Sequence, residues 1–323
     1  MWIIDDLSPL HQYKTEISKA DIYLFKPLDA YRMGGVGGFF RGGNSLLNGI
    51  NHPGGALFSF YLPDSPGKND TITLTVHEAS GKLIKSFSTN PKEGEEGLSV
   101  KKGSNKFNWN LRYPNAKGFD GLVMWAGSLA GPMAAPGDYQ VKLNTKKGSV
   151  MSTFKVLQNP NSTRSAEDIQ KQVDFINQNN QKLTETHQTI TDIRALRTQL
   201  STYKEKINDD PNMRDVLMRI KTIDSSMTVL EESLYQTKNR SNQDPLNFPV
   251  RLNNKLAYLN SISNKGDFPP TLSSYTVQTE MVTKINENVF KWQDLLNKEV
   301  PALNELIKSK AIDPISIKKL AKP

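Results

Sequence analysis

For acid–base or metal chemistry this 323-residue chain offers 33 carboxylates and four histidines, and it has no cysteine. Without cysteine there is no disulfide, thiolate nucleophile or thiolate metal site. Glycoside hydrolysis needs two carboxyl groups about 5–10 Å apart across a substrate cleft, one of them kept protonated. The acids do not supply that pair. Asp5-Asp6 opens the chain, Asp120 sits in a glycine-rich loop, and Glu93, Glu95 and Glu96 share a polar loop. Neighbouring acids on a strand point to opposite faces, so these read as solvated surface groups. His11, His52, His77 and His187 are far apart and lack metal-ligand spacing. The glycines between Gly34 and Gly43 match neither a Walker loop nor a dinucleotide fingerprint, and there is no Gly-x-Ser-x-Gly elbow. The sequence therefore points to no catalytic, cofactor-binding or metal-ligating residue.

Two groups of side chains stand out for binding. Tyr113, Phe119 and Trp125 fall in the long insertion between a strand ending at Arg112 and one starting at Asp138. Aromatics on such a loop can stack on sugar rings or anchor a protein partner. They can also fold back onto their own domain, and this packing role is the reading preferred here. His187 lies on a helical seam with Asn180. The pair forms either a polar functional site inside a helix bundle or a buried hydrogen-bonded layer that fixes helix register. The second reading is favoured.

The elements that must position these residues divide the chain into zones. Residues 1–19 begin with a strand-like run, Trp2-Ile3-Ile4, and 20–55 are a glycine-rich connector. Residues 56–157 hold short runs rich in β-branched and aromatic residues. Ile72, Leu74 and Val76 alternate with Thr71, Thr73 and Thr75, the period of a half-buried strand. Ser80-Gly81 and Lys146-Lys147-Gly148 mark tight hairpins. Such spacing predicts an antiparallel immunoglobulin-like β-sandwich over 56–157 with Trp109 in its core.

From residue 165 to 323 the period becomes helical. Ile169, Val173, Ile176, Asn180, Leu183, His187 and Ile190 follow a heptad seam, with a phase slip at Ile193. Val216, Ile220, Ile223, Met227, Leu230 and Leu234 form a second seam after Asp209-Asp210-Pro211. Helices near Pro249–Ser263 and from Ser273-Ser274, with a kink at Pro301, complete an expected antiparallel four-helix bundle or pair of long helical hairpins.

The formal charge is +8. The helical part is nearly balanced, and the excess before it is scattered over loops and strands rather than gathered in a basic stripe. That distribution argues against nucleic-acid binding. No apolar run approaches the roughly 20 residues of a membrane span. The N-terminus has neither the basic region nor the apolar core of a signal peptide, and the chain reads as the tail of something larger.

The stretches Phe58–Pro63, Ile72–Phe87, Asn105–Asn110 and Ala135–Val141 resemble the immunoglobulin-like (FlgD-like) domain of flagellar hook-capping proteins. More of the chain is involved in a second resemblance: Trp2–Leu10, Leu24–Arg32, Trp109–Pro114, Gly131–Gly137 and Pro249–Leu256. Together these runs look like the C-terminal third of large exported Bacteroidota proteins with sortilin-like or BNR-repeat β-propellers, often labelled glycosyl hydrolases. The resemblance implies an extracytoplasmic (periplasmic or secreted) location. It makes Trp2–Ile4 the last strand of a preceding propeller and gives this region an accessory role, docking or spacing domains and binding a protein or a glycan. Its alternative is part of a carbohydrate-active enzyme whose site needs the propeller. The expected partners are an upstream propeller or another protein, with a glycan possible, and no nucleic acid.

Overall fold

Alternation decides where the strands lie. The chain carries α1 (Ser8–Gln12), β1 (Tyr23–Leu24), β2 (Ala30–Tyr31), β3 (Ala56–Leu62), β4 (Thr73–Glu78), β5 (Leu83–Ser88), β6 (Glu96–Gly97), β7 (Gly103–Trp109), β8 (Gly137–Thr145) and β9 (Gly148–Leu157). In β3 the residues Ala56, Phe58, Phe60 and Leu62 are buried while Leu57, Ser59 and Tyr61 are not, the period of two that a one-sided sheet requires. β4 buries Leu74 and Val76, and β8 buries Tyr139, Val141 and Leu143. The computed structural model describes residues 6–19, 21–33, 54–67, 70–92 and 95–310. The Trp2–Ile4 run and the glycines from Gly34 to Gly49 lie outside them.

These strands correct the expected immunoglobulin-like sandwich. They form a three-stranded sheet in the order β1-β3-β7 and a six-stranded sheet in the order β2-β9-β8-β4-β5-β6, and one of the sheets curls into a half-barrel. The six-stranded sheet is mixed, because β2 joins β9 and β6 joins β5 in parallel. The connector supplies two of these strands: β1 pairs with β3 in one sheet and β2 with β9 in the other. A two-residue strand has no alternation to read, so none of this was visible in the hydrophobic pattern.

Both sheets bury their apolar faces in one core, around Phe58, Leu74, Trp109, Tyr139, Val141 and Phe154. The Trp109 indole N–H donates to the Arg112 carbonyl at 3.1 Å, and its ring lies edge-on to Phe154 at 6.2 Å. Where β3 begins against the end of β7, Gly55 takes φ +89, and a Cβ there would stand 2.2 Å from the Trp109 carbonyl oxygen. Only glycine fits that approach.

The helical region has unequal members in place of four matched helices: α2 (Ala166–Ile207, 42 residues), α3 (Arg214–Leu234), α4 (Leu252–Ser263), α5 (Leu272–Asp294) and α6 (Val300–Ser309). Asp210 caps the turn before α3 by accepting from the Asn212 N–H, with Pro211 next. α5 runs into α6 through one wide π-helical turn, Leu295–Glu299, just before Pro301. Proline has no N–H and its ring crowds the preceding turn, which the wider turn accommodates. On α2 the seam residues Ile169, Val173, Ile176, Asn180, Leu183, His187 and Ile190 are all buried. α2 and α3 run antiparallel, tied by Arg194 to Glu231 at 2.7 Å and Arg197 to Asp224 at 2.8 Å.

The chain separates into two compact units that do not follow the sequence zones. One takes residues 1–115, 130–177 and 263–270, and the other takes 116–129, 178–262 and 271–323. The start of α2 thus belongs with the strands, and Ile169 and Val173 join their core. The loop 116–129 belongs with the helices. No helix among the described residues is long and apolar enough to cross a membrane.

Candidate functional site

The three aromatic residues of the insertion do not form one cluster. Tyr113 is buried in the β unit, and its hydroxyl donates to Glu78 Oε1 at 2.9 Å. Burial, then the neighbouring Tyr139 and Glu78, push the Tyr113 phenol well above its usual range. Tyr139 donates to the Ala135 carbonyl at 2.8 Å and is pushed up to about 12, by burial first and Glu78 second. Both phenols stay neutral donors at any physiological pH, which makes this a structural lock.

Phe119 packs in the helical unit. Its ring is edge-on to His187 at 5.2 Å and Tyr235 at 5.1 Å, and the Arg194 guanidinium lies 4.7 Å from its centroid. The loop around it is stitched to the helices. The Lys117 N–H donates to Thr184 Oγ1 at 3.0 Å, and His187 Nδ1 lies 2.6 Å from the Lys117 carbonyl. That contact places the His187 proton on Nδ1 and leaves Nε2 to accept from the Asn253 amide at 3.2 Å. Burial lowers the pKa of His187, with the Lys117 carbonyl acting in the opposite sense. The polar layer continues through Asn260, which accepts from Asn179 at 2.9 Å and donates to Asn180 at 2.7 Å, while Gln278 donates to Asn179 at 2.8 Å. Asn180 and His187 therefore sit in a satisfied buried network that fixes register.

Trp125 is the exception, with 43% of its surface exposed. Its backbone is held on both sides by one side chain: Asn254 Oδ1 accepts from the Trp125 N–H at 2.7 Å, and Asn254 Nδ2 donates to the Trp125 carbonyl at 2.9 Å. The next residue, Ala126, takes φ 51, a left-handed conformation rare without glycine. Its carbonyl accepts from Ser261 Oγ at 2.6 Å, and the Ser128 N–H donates to the Ala257 carbonyl at 3.0 Å. Tyr235 closes the loop from its other side, its hydroxyl accepting from the Val123 N–H and donating to the Gly121 carbonyl.

The residue whose backbone is so held lines an open groove of about 760 Å³ between α4 and α5. α4 contributes Lys255, Tyr258 and Ile262, and α5 contributes Ser274, Val277 and Met281. Tyr258, Ile262 and Val277 are 49%, 42% and 41% exposed, a gathering of large apolar side chains that water would otherwise drive inward.

The sequence did not single out Asn254, Tyr258 or Ser261. One signal was available in Asn253-Asn254: asparagine is a weak helix former, and two together inside a helix imply side chains with other partners. The acids remain dispersed. Asp120 is exposed, Glu95 accepts from the Lys92 N–H, Glu96 pairs with Lys85, and Glu78 binds Tyr113. Asp5, His52 and Glu93 lie outside the described residues. His11 is exposed, and His77 bonds the Gly81 carbonyl and Thr75. Among the described residues no three His, Cys, Asp or Glu side chains are placed to hold one metal ion.

No protein-family model matches the chain, and neither does any curated protein sequence. Among solved structures, a chain called pT26-6p aligns over 75% of this chain at 13% identity with a TM-score of 0.17. This chain spans 48% of the length of that one. A TM-score of that size bears on neither fold nor function.

Proposed function

We propose that this chain is a non-catalytic interaction module of an exported protein, and that it docks a protein partner through the α4–α5 groove with Trp125 as the anchor. The observation that carries this reading is an exposed indole on a backbone clamped by Asn254. Tryptophan is the residue most enriched at binding hot spots, and a loop already locked in place loses little conformational freedom on binding. Backbone strain such as that at Ala126 gathers where a side chain must be presented in one geometry. The apolar lining favours a protein segment over a sugar, whose hydroxyls would need more hydrogen-bonding partners than the groove walls offer. An upstream propeller and an extracytoplasmic location rest on the family resemblance alone and belong to the same proposal.

The test selects binders from a random dodecapeptide library displayed on phage, using the full chain as bait. Selected peptides should lose binding to Trp125→Ala and Tyr258→Ala variants of unchanged circular dichroism. Peptides indifferent to both changes would remove the groove from the reading. Aryl-glycoside turnover that vanishes on replacing Asp120, or any other single carboxylate, would overturn the non-catalytic assignment.

A further inference from the structure

We infer that the occupant of the groove is an amphipathic α-helix of a partner protein whose apolar stripe is flanked by carboxylates. This deepens the docking reading above and rests on it.

The first argument is spacing. Lys255, Tyr258 and Ile262 on α4 step by three and four residues, and so do Ser274, Val277 and Met281 on α5. Each set is therefore a single stripe along its helix. Two stripes bordering one groove offer ridges between which the side chains of a third helix can interdigitate, the arrangement of helix-in-groove recognition. α4 has 12 residues, a length of about 18 Å, which three turns of a partner helix would match. Trp125 stands beside these stripes as a large aromatic contact for an apolar side chain of the incoming helix.

Charge supplies the second argument. Glu280 is ion-paired with Lys284, which chiefly lowers its pKa, and Lys255 adds a smaller pull in the same sense, so the three side chains keep one net positive charge. The groove is also lined by Thr271 and Ser273 at the start of the 23-residue α5. There the Thr271 hydroxyl accepts from the Ser274 N–H, while the first-turn N–H groups before it point out of the helix. Positive potential thus occurs at two points along an otherwise apolar groove. Carboxylates flanking an apolar stripe complement both points, whereas lysines there would be repelled.

The experiment measures fluorescence polarisation of labelled peptides titrated with the full chain. Four peptides of about three to four helical turns are compared: a leucine stripe with glutamate flanks, the same stripe with lysine flanks, the glutamate peptide with its leucines changed to serine, and the glutamate peptide with a central proline. The glutamate-flanked helix should bind roughly tenfold more tightly than the lysine-flanked one at low salt, with the gap closing as salt screens it. Lys255→Glu should shrink that gap, and the serine and proline peptides should bind at least tenfold more weakly. Equal binding of the acidic and basic peptides would overturn the charge claim, and undiminished binding of the proline peptide would overturn the helix. In either case phage-selected peptides that still need Trp125 would leave the docking reading standing. Sedimentation showing a dimer dispersed by Trp125→Ala would make the occupant a second copy and overturn the inference.

Discussion

The β unit and the helical unit bury different kinds of atoms. In the first, the core is aromatic and aliphatic, built around Trp109, Phe58, Leu74 and Phe154. Its buried polar residues sit at the margin of that core rather than along one continuous layer. Asn105 holds a turn through the Lys101 and Gly103 carbonyls, and Arg32 pairs with Asp267 and donates to Gln172. Burial, with Arg112 nearby, lowers Arg32 only to about 10, so it remains a cation at neutral pH. In the helical unit, polar side chains run through the middle: Asn179, Asn180, His187, Asn253 and Asn260 are all buried, as is Glu231 between Arg194 and Arg197. An apolar core can slide and repack at modest cost. A network of amides with every partner assigned has one register, because any shift leaves buried donors and acceptors unpaired. The unit that presents the groove is the one whose helices are held in register this way.

The largest expected effects lie in the apolar core. Trp109→Ala should cost about 3–5 kcal/mol, as expected for deleting a fully buried aromatic side chain. Leu111→Gly should cost about 2–5 kcal/mol for its buried leucine, although Leu111 sits at φ 60, where glycine is the easier backbone. Denaturant titrations followed by circular dichroism measure both. A loss below 1 kcal/mol at Trp109 would mean that the β unit does not depend on an apolar core around that ring.

Next comes the polar network. Asn260→Ala removes the acceptor of Asn179 and the donor to Asn180 and should cost about 1–3 kcal/mol. If Asn260→Leu, which restores bulk without hydrogen bonds, were as stable as the parent, the network would not be what sets register.

His187 makes this difference depend on pH. Its folded pKa lies below the ordinary value of 6.5 because burial disfavours the imidazolium. As pH falls through about 6.5, the unfolded chain takes up a proton that the folded one resists, so stability drops. Above that pH the contribution is constant. Thermal melts of the parent between pH 8 and 5 should show a decline that His187→Gln lessens. An identical decline in both proteins would move the effect to other groups.

Much of the strand and helix order was legible, because it rests on local alternation and heptad seams such as Leu74/Val76 and Ile169–Ile190. The make-up of the two sheets was not, because β1 and β2 are two residues long and their partners lie far along the chain. The insertion shows the same limit at the candidate site. Tyr113, Phe119 and Trp125 are close in sequence, but their neighbours are Glu78, then His187 with Tyr235, then Asn254. Proximity along the loop therefore said nothing of destination. Of the three, only Trp125 is exposed, and it is the one left for binding.

The smallest expected effect concerns the backbone next to that residue. Ala126 at φ 51 carries the cost of a left-handed alanine, about 1–2 kcal/mol. Glycine would remove that strain but would add about 0.5–1 kcal/mol of lost unfolded-state freedom. Ala126→Gly should therefore range from neutral to stabilising by about 1.5 kcal/mol, opposite in sign to Leu111→Gly. The two residues share a backbone conformation and differ in what the side chain does, since Leu111 fills a core and Ala126 only passes the chain from Trp125 to Gly127. The Asn254 and Ser261 hydrogen bonds reach backbone atoms that glycine also has, so the indole should keep its place. Acrylamide quenching of the parent, of Ala126→Gly and of Asn254→Ala checks this: the first two should match, and the third should differ as the clamp is lost. A marked destabilisation by Ala126→Gly would show that the alanine methyl itself packs the loop, and that the strain is offset by contacts of the helical unit rather than by the side-chain clamp.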